Sequence, residues 1–154
     1  MRFFLVDRID ELKKFAWATG TKCITLADDC FEHHFPGQPI YPGALLVESL
    51  AQLGGALLEL SLREVLDHTP RCVLSTVKAK FRGFARPGDA LALRVDVTGR
   101  HEDSAMVHAT ASRGQDLLCD AEILYVFLRV DDPRLARSRD DFLDVLTRAT
   151  RIVT

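Results

Sequence analysis

One run constrains the whole chain: residues 43–66, GALLVESLAQLGGALLELSLREVL, which contain no proline and are followed by none until Pro70. Leu, Ala, Val and Glu dominate it, and these residues lose little on entering a helix, so the run is read as a helix that opens just after the Pro42-Gly43 turn. Residues 44–60 are apolar nearly all round rather than along one stripe. A helix of that kind is buried inside a fold, not laid on its surface. Something must therefore wrap it.

The rest of the chain supplies the wrapping. After the helix the hydrophobic period changes from helical to two. Within 72–84, Val73, Val77, Ala79 and Phe81 are expected on one face, with Lys78, Lys80 and Arg82 on the other. In 90–99, Leu91, Leu93, Val95 and Val97 alternate with Ala92, Arg94, Asp96 and Thr98. Ala105, Val107, Ala109 and Ala111 repeat the pattern, and 116–130 is a longer apolar run. These read as half-buried antiparallel strands, separated by turn signals at 86–89, Gly99 and 113–114. Weaker strand signals lie at 8–12 and 16–26. The expected fold is α+β, a curved antiparallel sheet around one central helix. Beyond Asp131-Asp132-Pro133 a second, amphipathic helix is predicted, with Phe142, Leu143, Val145, Leu146 and Ile152 at helical spacing.

Composition narrows the function. The 154 residues suit one domain over 1–154, with 131–154 as a helical extension, and no repeat or linker divides them. A net charge of −2 argues against nucleic acid as the main ligand. Cys23, Cys30, Cys72 and Cys119 show neither paired nor zinc-like spacing, and no segment reads as an export signal or a membrane span. Together with the Met start this points to a reducing, cytoplasmic setting.

Two features carry chemistry. Glu48 and Gln52 lie four apart and so share one face of the helix, among Leu45, Leu46, Val47, Leu50, Ala51 and Leu53. A carboxylate in such surroundings favours its protonated form, which is how an acid usable near neutral pH is made. The competing reading is that Glu48 escapes to solvent beside the positive end of the helix dipole. The second feature is the approach, 31–43, FEHHFPGQPIYPG, in which 36–43 hold three prolines and two glycines. So rigid a loop positions something, and it delivers the chain to a helix N-terminus whose free amides can hold an oxyanion. His34 stands at its entrance, fourteen positions before Glu48, so either the loop folds back or a second copy supplies one partner. Glu32, His33 and His34 are adjacent and diverge, which is a poor metal set.

HFPGQPIYPG followed by ALLVESLAQ closely resembles the signature of the 3-hydroxyacyl-acyl-carrier-protein dehydratases. That pattern is H-F-P-G-x-P-x-x-P-G, four residues, an acidic residue, three residues and Gln. FLVDRI at 4–9, KFR at 80–82 and RPGD at 86–89 add to the likeness. The resemblance implies a hot-dog fold and a dimer, often grouped as a trimer of dimers, with each site built from His34 of one subunit and Glu48 of the other. It implies His34 as base at C2, Glu48 as acid to the departing 3-hydroxyl, Gln52 in support and the Gly43 amide on the thioester oxygen. No metal or organic cofactor is implied. Phe81 and Phe84 are candidates for the acyl tunnel, and Lys78, Lys80, Arg82 and Arg86 for contact with the acidic carrier protein; the plainer reading of those cations is a solvated strand face. Glutamate at 48 matches the general dehydratases, whereas the dehydratase–isomerases carry aspartate.

The chain departs from this pattern at His33, where a small residue is usual, and in its C-terminal extension. Rival readings are a hot-dog acyl thioesterase, which needs no H-F-P-G loop, and a non-catalytic subunit that grips the carrier protein.

Overall fold

The computed structural model describes residues 3–68 and 70–154. The predicted helix forms as α1, Gly43–Leu62, about 30 Å long at 1.5 Å per residue. It stops at Leu62 rather than reaching residue 66, because the chain turns there through Arg63, Glu64 and Val65. Leu50, Leu53, Ala56, Leu57 and Leu58 have no exposed surface. α1 is long and apolar enough to cross a bilayer, but it is the core helix of this fold, most of it buried against the sheet.

Seven strands form that sheet: β1 (Arg8–Lys13), β2 (Trp17–Cys23), β3 (Arg71–Phe81), β4 (Ala90–Arg100), β5 (Ser104–Arg113), β6 (Asp116–Leu128) and β7 (Arg151–Ile152). Their order is β3-β6-β5-β4-β2-β1-β7, antiparallel throughout except for β1 with β7. Inward residues alternate as expected: Leu91, Leu93 and Val95 on β4, Ala105, Val107, Ala109 and Ala111 on β5, and Cys119, Ala121, Ile123 and Tyr125 on β6. The alanines of β5 let the curved sheet close on the helix.

Two further expectations need correction. Val73 does not share a face with Val77. The β3–β6 register shifts between Leu74 and Thr76, so Leu74 pairs with inward-facing Tyr125 and Val77 with inward-facing Ile123, while Val73 pairs with Val126 on the other side. An extra residue in a strand inverts its alternation, and nothing in the local pattern announced it. Ile152 does not belong to the second helix. That helix, α2 (Pro133–Thr147), buries Phe142, Leu143 and Leu146 in the common core but leaves Val145 exposed, and Ile152 lies in β7. Asp132 caps α2 by accepting from the Arg134 amide at 2.9 Å.

The Tyr125 hydroxyl donates to the Ala51 carbonyl at 2.7 Å, inside the core. A Cβ on Gly54 would lie 2.5 Å from that hydroxyl oxygen. Gly54→Ala is therefore expected to lower stability by about 2 kcal/mol or more, through overpacking and loss of the buried bond. Denaturant unfolding checks this; a variant as stable as the parent would show that Tyr125 moves aside freely.

Candidate active site

The loop that leads into α1 is built around His34. A short 3-10 turn, Asp29–Glu32, anchors it through buried Phe31. Residues 35–38 then make a tight turn, with Gln38 donating to the Phe35 carbonyl at 2.9 Å and Gly37 at φ +75°. Proline before a left-handed glycine is the type II pattern. His34 is tied to Ile40 twice: its carbonyl accepts from the Ile40 amide at 3.0 Å, and its Nδ1 lies 2.7 Å from the Ile40 carbonyl oxygen. A carbonyl can only accept, so Nδ1 carries the hydrogen and Nε2 of the neutral ring is the free base. The Phe35 ring stacks on the imidazole at 4.2 Å. His33 next door is exposed.

The chain continues through Tyr41, whose amide donates to the Ala85 carbonyl at 2.8 Å and so ties the loop to the β3–β4 connection. The Tyr41 side chain is buried, and that burial pushes its hydroxyl up to about 12. Pro42 precedes α1 and offers no side-chain cap, and the first turn has no acidic residue. The amide of Gly43, first in the helix, thus has no intrahelical acceptor and no competing carboxylate. A cavity of about 320 Å³ collects His34, Gly43, Phe81 and Phe84 on its wall. The four predicted residues therefore meet. A Cβ on Gly43 would lie 2.9 Å from two atoms of the Phe81 ring, so glycine lets that ring rest over the helix end.

Glu48 and Gln52 sit one and two turns further along. Glu48 is half-buried and its Oε1 accepts from Gln52 Nε2 at 3.0 Å, which disfavours the reading that it escapes to solvent. The Gln52 amide also donates to the Phe3 carbonyl at 3.0 Å and accepts from the Leu5 amide at 2.9 Å. One side chain thus orients the carboxylate and pins the segment that precedes β1. Glu48 and Gln52 line a second cavity, of about 390 Å³. Within one chain, His34 belongs to the first cavity and Glu48 to the second.

The basic cluster is partly matched in place. Lys78 faces Glu122 and Lys80 faces Asp120 across β3 and β6. Arg82 reaches Asp120 at 3.8 Å, and the same carboxylate takes His108 Nε2 at 2.9 Å. Arg86 stands exposed on the β3–β4 turn, where its backbone amide donates to Asp89 Oδ2 at 2.9 Å.

Sequence reasoning missed Glu59. It is buried on α1, with Oε2 2.6 Å from Arg139 Nε of α2 and 3.8 Å from Arg71, while Oε1 accepts from the Cys72 amide at 3.1 Å. The signal was present: Glu59 lies seven positions after Gln52 and so extends the polar strip of Glu48 and Gln52 along one helix face.

A sheet wrapped on a buried helix, with a loop histidine before the helix and a carboxylate within it, defines a hot-dog protein. A solved structure of this shape, a hypothetical thioesterase protein from Streptococcus pneumoniae with coenzyme A, superposes at TM-score 0.62, covering 78% of this chain and 84% of that one; at 12% identity it shows the fold alone. A family model described as FabA-like domain matches residues 1–125. The 3-hydroxyacyl-acyl-carrier-protein dehydratase FabZ of Levilactobacillus brevis is 37% identical over 82% of this chain and 84% of its own. That of Chloroflexus aggregans is 40% identical over 85% of this chain and 88% of its own. The chain belongs to the FabA-like dehydratase family.

Proposed function

We infer that this protein is a 3-hydroxyacyl-acyl-carrier-protein dehydratase, a hydro-lyase that eliminates water to give a trans-2-enoyl thioester. The observation that carries the reading is His34, held with Nε2 as its free base in the same cavity as the uncapped Gly43 amide. Relatives at 33–40% identity are dehydratases that act on carrier-bound 3-hydroxyacyl chains. Glu48, rather than aspartate, fits the general dehydratase branch.

In the reaction we propose, the thioester oxygen takes a hydrogen bond from the Gly43 amide, aided by the helix dipole, which acidifies the C2 hydrogen. His34 Nε2 removes that proton. Glu48, oriented by Gln52, gives a proton to the 3-hydroxyl, which leaves as water; the electron pair from C2 forms the double bond. Because His34 and Glu48 of one chain line different cavities, we assign each site to two subunits, His34 from one and Glu48 from the other. The partner approaches along β3, an edge strand with Val73, Leu74 and Phe81 exposed. Six such chains would be three of these dimers, grouped through surfaces other than β3. Four free cysteines suit a cytoplasmic, reducing setting.

Mass spectrometry of the protein mixed with a short 3-hydroxyacyl-carrier protein tests the reaction. Loss of water that comes to equilibrium is expected; release of free acid would instead make it a thioesterase, and no change at any length a binding subunit. For the carrier itself, Lys80→Glu with Arg82→Glu is expected to weaken binding at least about tenfold at low salt and far less at high salt, since exposed charges are screened. Equal affinity at low salt would show that Asp120 and Glu122 already neutralise this face.

A further inference from the structure

The cavity at Glu48 does not end in an apolar wall. Along α1 its lining runs Glu48, Ala51, Gly55, Glu59, a single helix face. At 1.5 Å per residue, Gly55 lies about 10 Å beyond Glu48, and Glu59 one further turn along. There Arg71 and Arg139 converge on the carboxylate of Glu59, two cations on one anion. All three line the cavity. Arg139 comes from α2 and lies over the Phe142 ring at 4.9 Å, so the position of this cluster depends on the helix that follows the family match at 1–125. α2 is fixed in turn by buried Phe142, Leu143 and Leu146 and by Arg63 with Asp140 at 2.6 Å.

Resting on the dehydratase reading, we propose that Glu59, Arg71 and Arg139 form a polar stop at the far end of the acyl site, so that this enzyme takes short and medium acyl chains and turns away long ones. With C2 and C3 held at Glu48, an octanoyl tail ends against Ala51 and Gly55. A palmitoyl tail reaches the guanidinium groups, and a methyl end pressed there must strip water from charged groups without replacing their hydrogen bonds. The three residues are therefore determinants of specificity; the proton transfers belong to His34 and Glu48.

The test compares kcat/KM for carrier-bound 3-hydroxyoctanoyl and 3-hydroxypalmitoyl chains. The palmitoyl chain is expected to react at least about tenfold more slowly. Removing one partner would leave a buried charge unpaired and endanger the fold, so the cluster is neutralised as a unit. Glu59→Gln, Arg71→Met and Arg139→Met together keep an acceptor for the Cys72 amide, and should raise the palmitoyl-to-octanoyl ratio by at least about tenfold. A second variant moves the ratio the other way. A Cβ on Gly55 has its nearest neighbours at 3.9 and 4.0 Å, so Gly55→Ala is accommodated at the helix and narrows the cavity, lowering the ratio further. A parent enzyme indifferent to length, or a ratio unmoved in both variants, overturns the proposal while leaving the dehydratase reading intact. No turnover at any length overturns the dehydratase reading itself, and this inference with it.

Discussion

His34→Ala and Glu48→Gln are each expected to lower turnover by roughly 10²–10⁴-fold, the usual worth of a positioned general acid or base. Both variants should remain folded. Gln at 48 keeps an oxygen that can accept from Gln52 Nε2, the bond seen at 3.0 Å. Alanine at 34 gives up the side-chain bond to Ile40 but leaves the backbone bond between the same two residues at 3.0 Å. The measurement is dehydration of a short carrier-bound substrate, with circular dichroism and sedimentation as controls on fold and assembly. Turnover within a few-fold of the parent in either variant would remove that residue from the mechanism.

A mixture of the two inactive variants should recover activity. If each site takes His34 from one subunit and Glu48 from the other, a mixed dimer holds one site with both lesions and one with neither. Random pairing on co-expression then gives roughly a quarter of the parental activity, from two proteins that have almost none alone. Co-purification through two different tags isolates the mixed species and should raise the figure to roughly a half. No recovery would mean that both groups serve one chain's site, and the assignment of His34 and Glu48 to separate subunits would fail.

Much of this is legible in the residues themselves. The all-round apolar character of residues 44–60 required a buried helix, and alternation after residue 72 required a sheet to bury it. The loop prolines and glycines marked where the chemistry would sit, because conformational restriction is written in residue type. What escaped was non-local. The bulge in β3 depends on how that strand meets β6 and leaves no mark in its own alternation, so alternation alone puts Val73 on the wrong face. Ile152 obeys helical spacing yet pairs with Leu12, a partner 140 positions away. Glu59 continued a strip that was visible, but the arginines that make it meaningful come from β3 and α2, and only the fold brings them together.

The two rims of the sheet are unequal, and that inequality governs how far assembly can run. One rim is β3, eleven residues long with apolar side chains exposed; the other is β7, only two residues long. A long bare rim invites another strand, whereas a rim of two residues offers almost nothing to add to. Joining like to like through β3 leaves only blunt rims facing outward on both sides of the joined sheet. If the chains pair in this way, growth by strand addition terminates after a single step and gives a pair without the capacity to form a fibre.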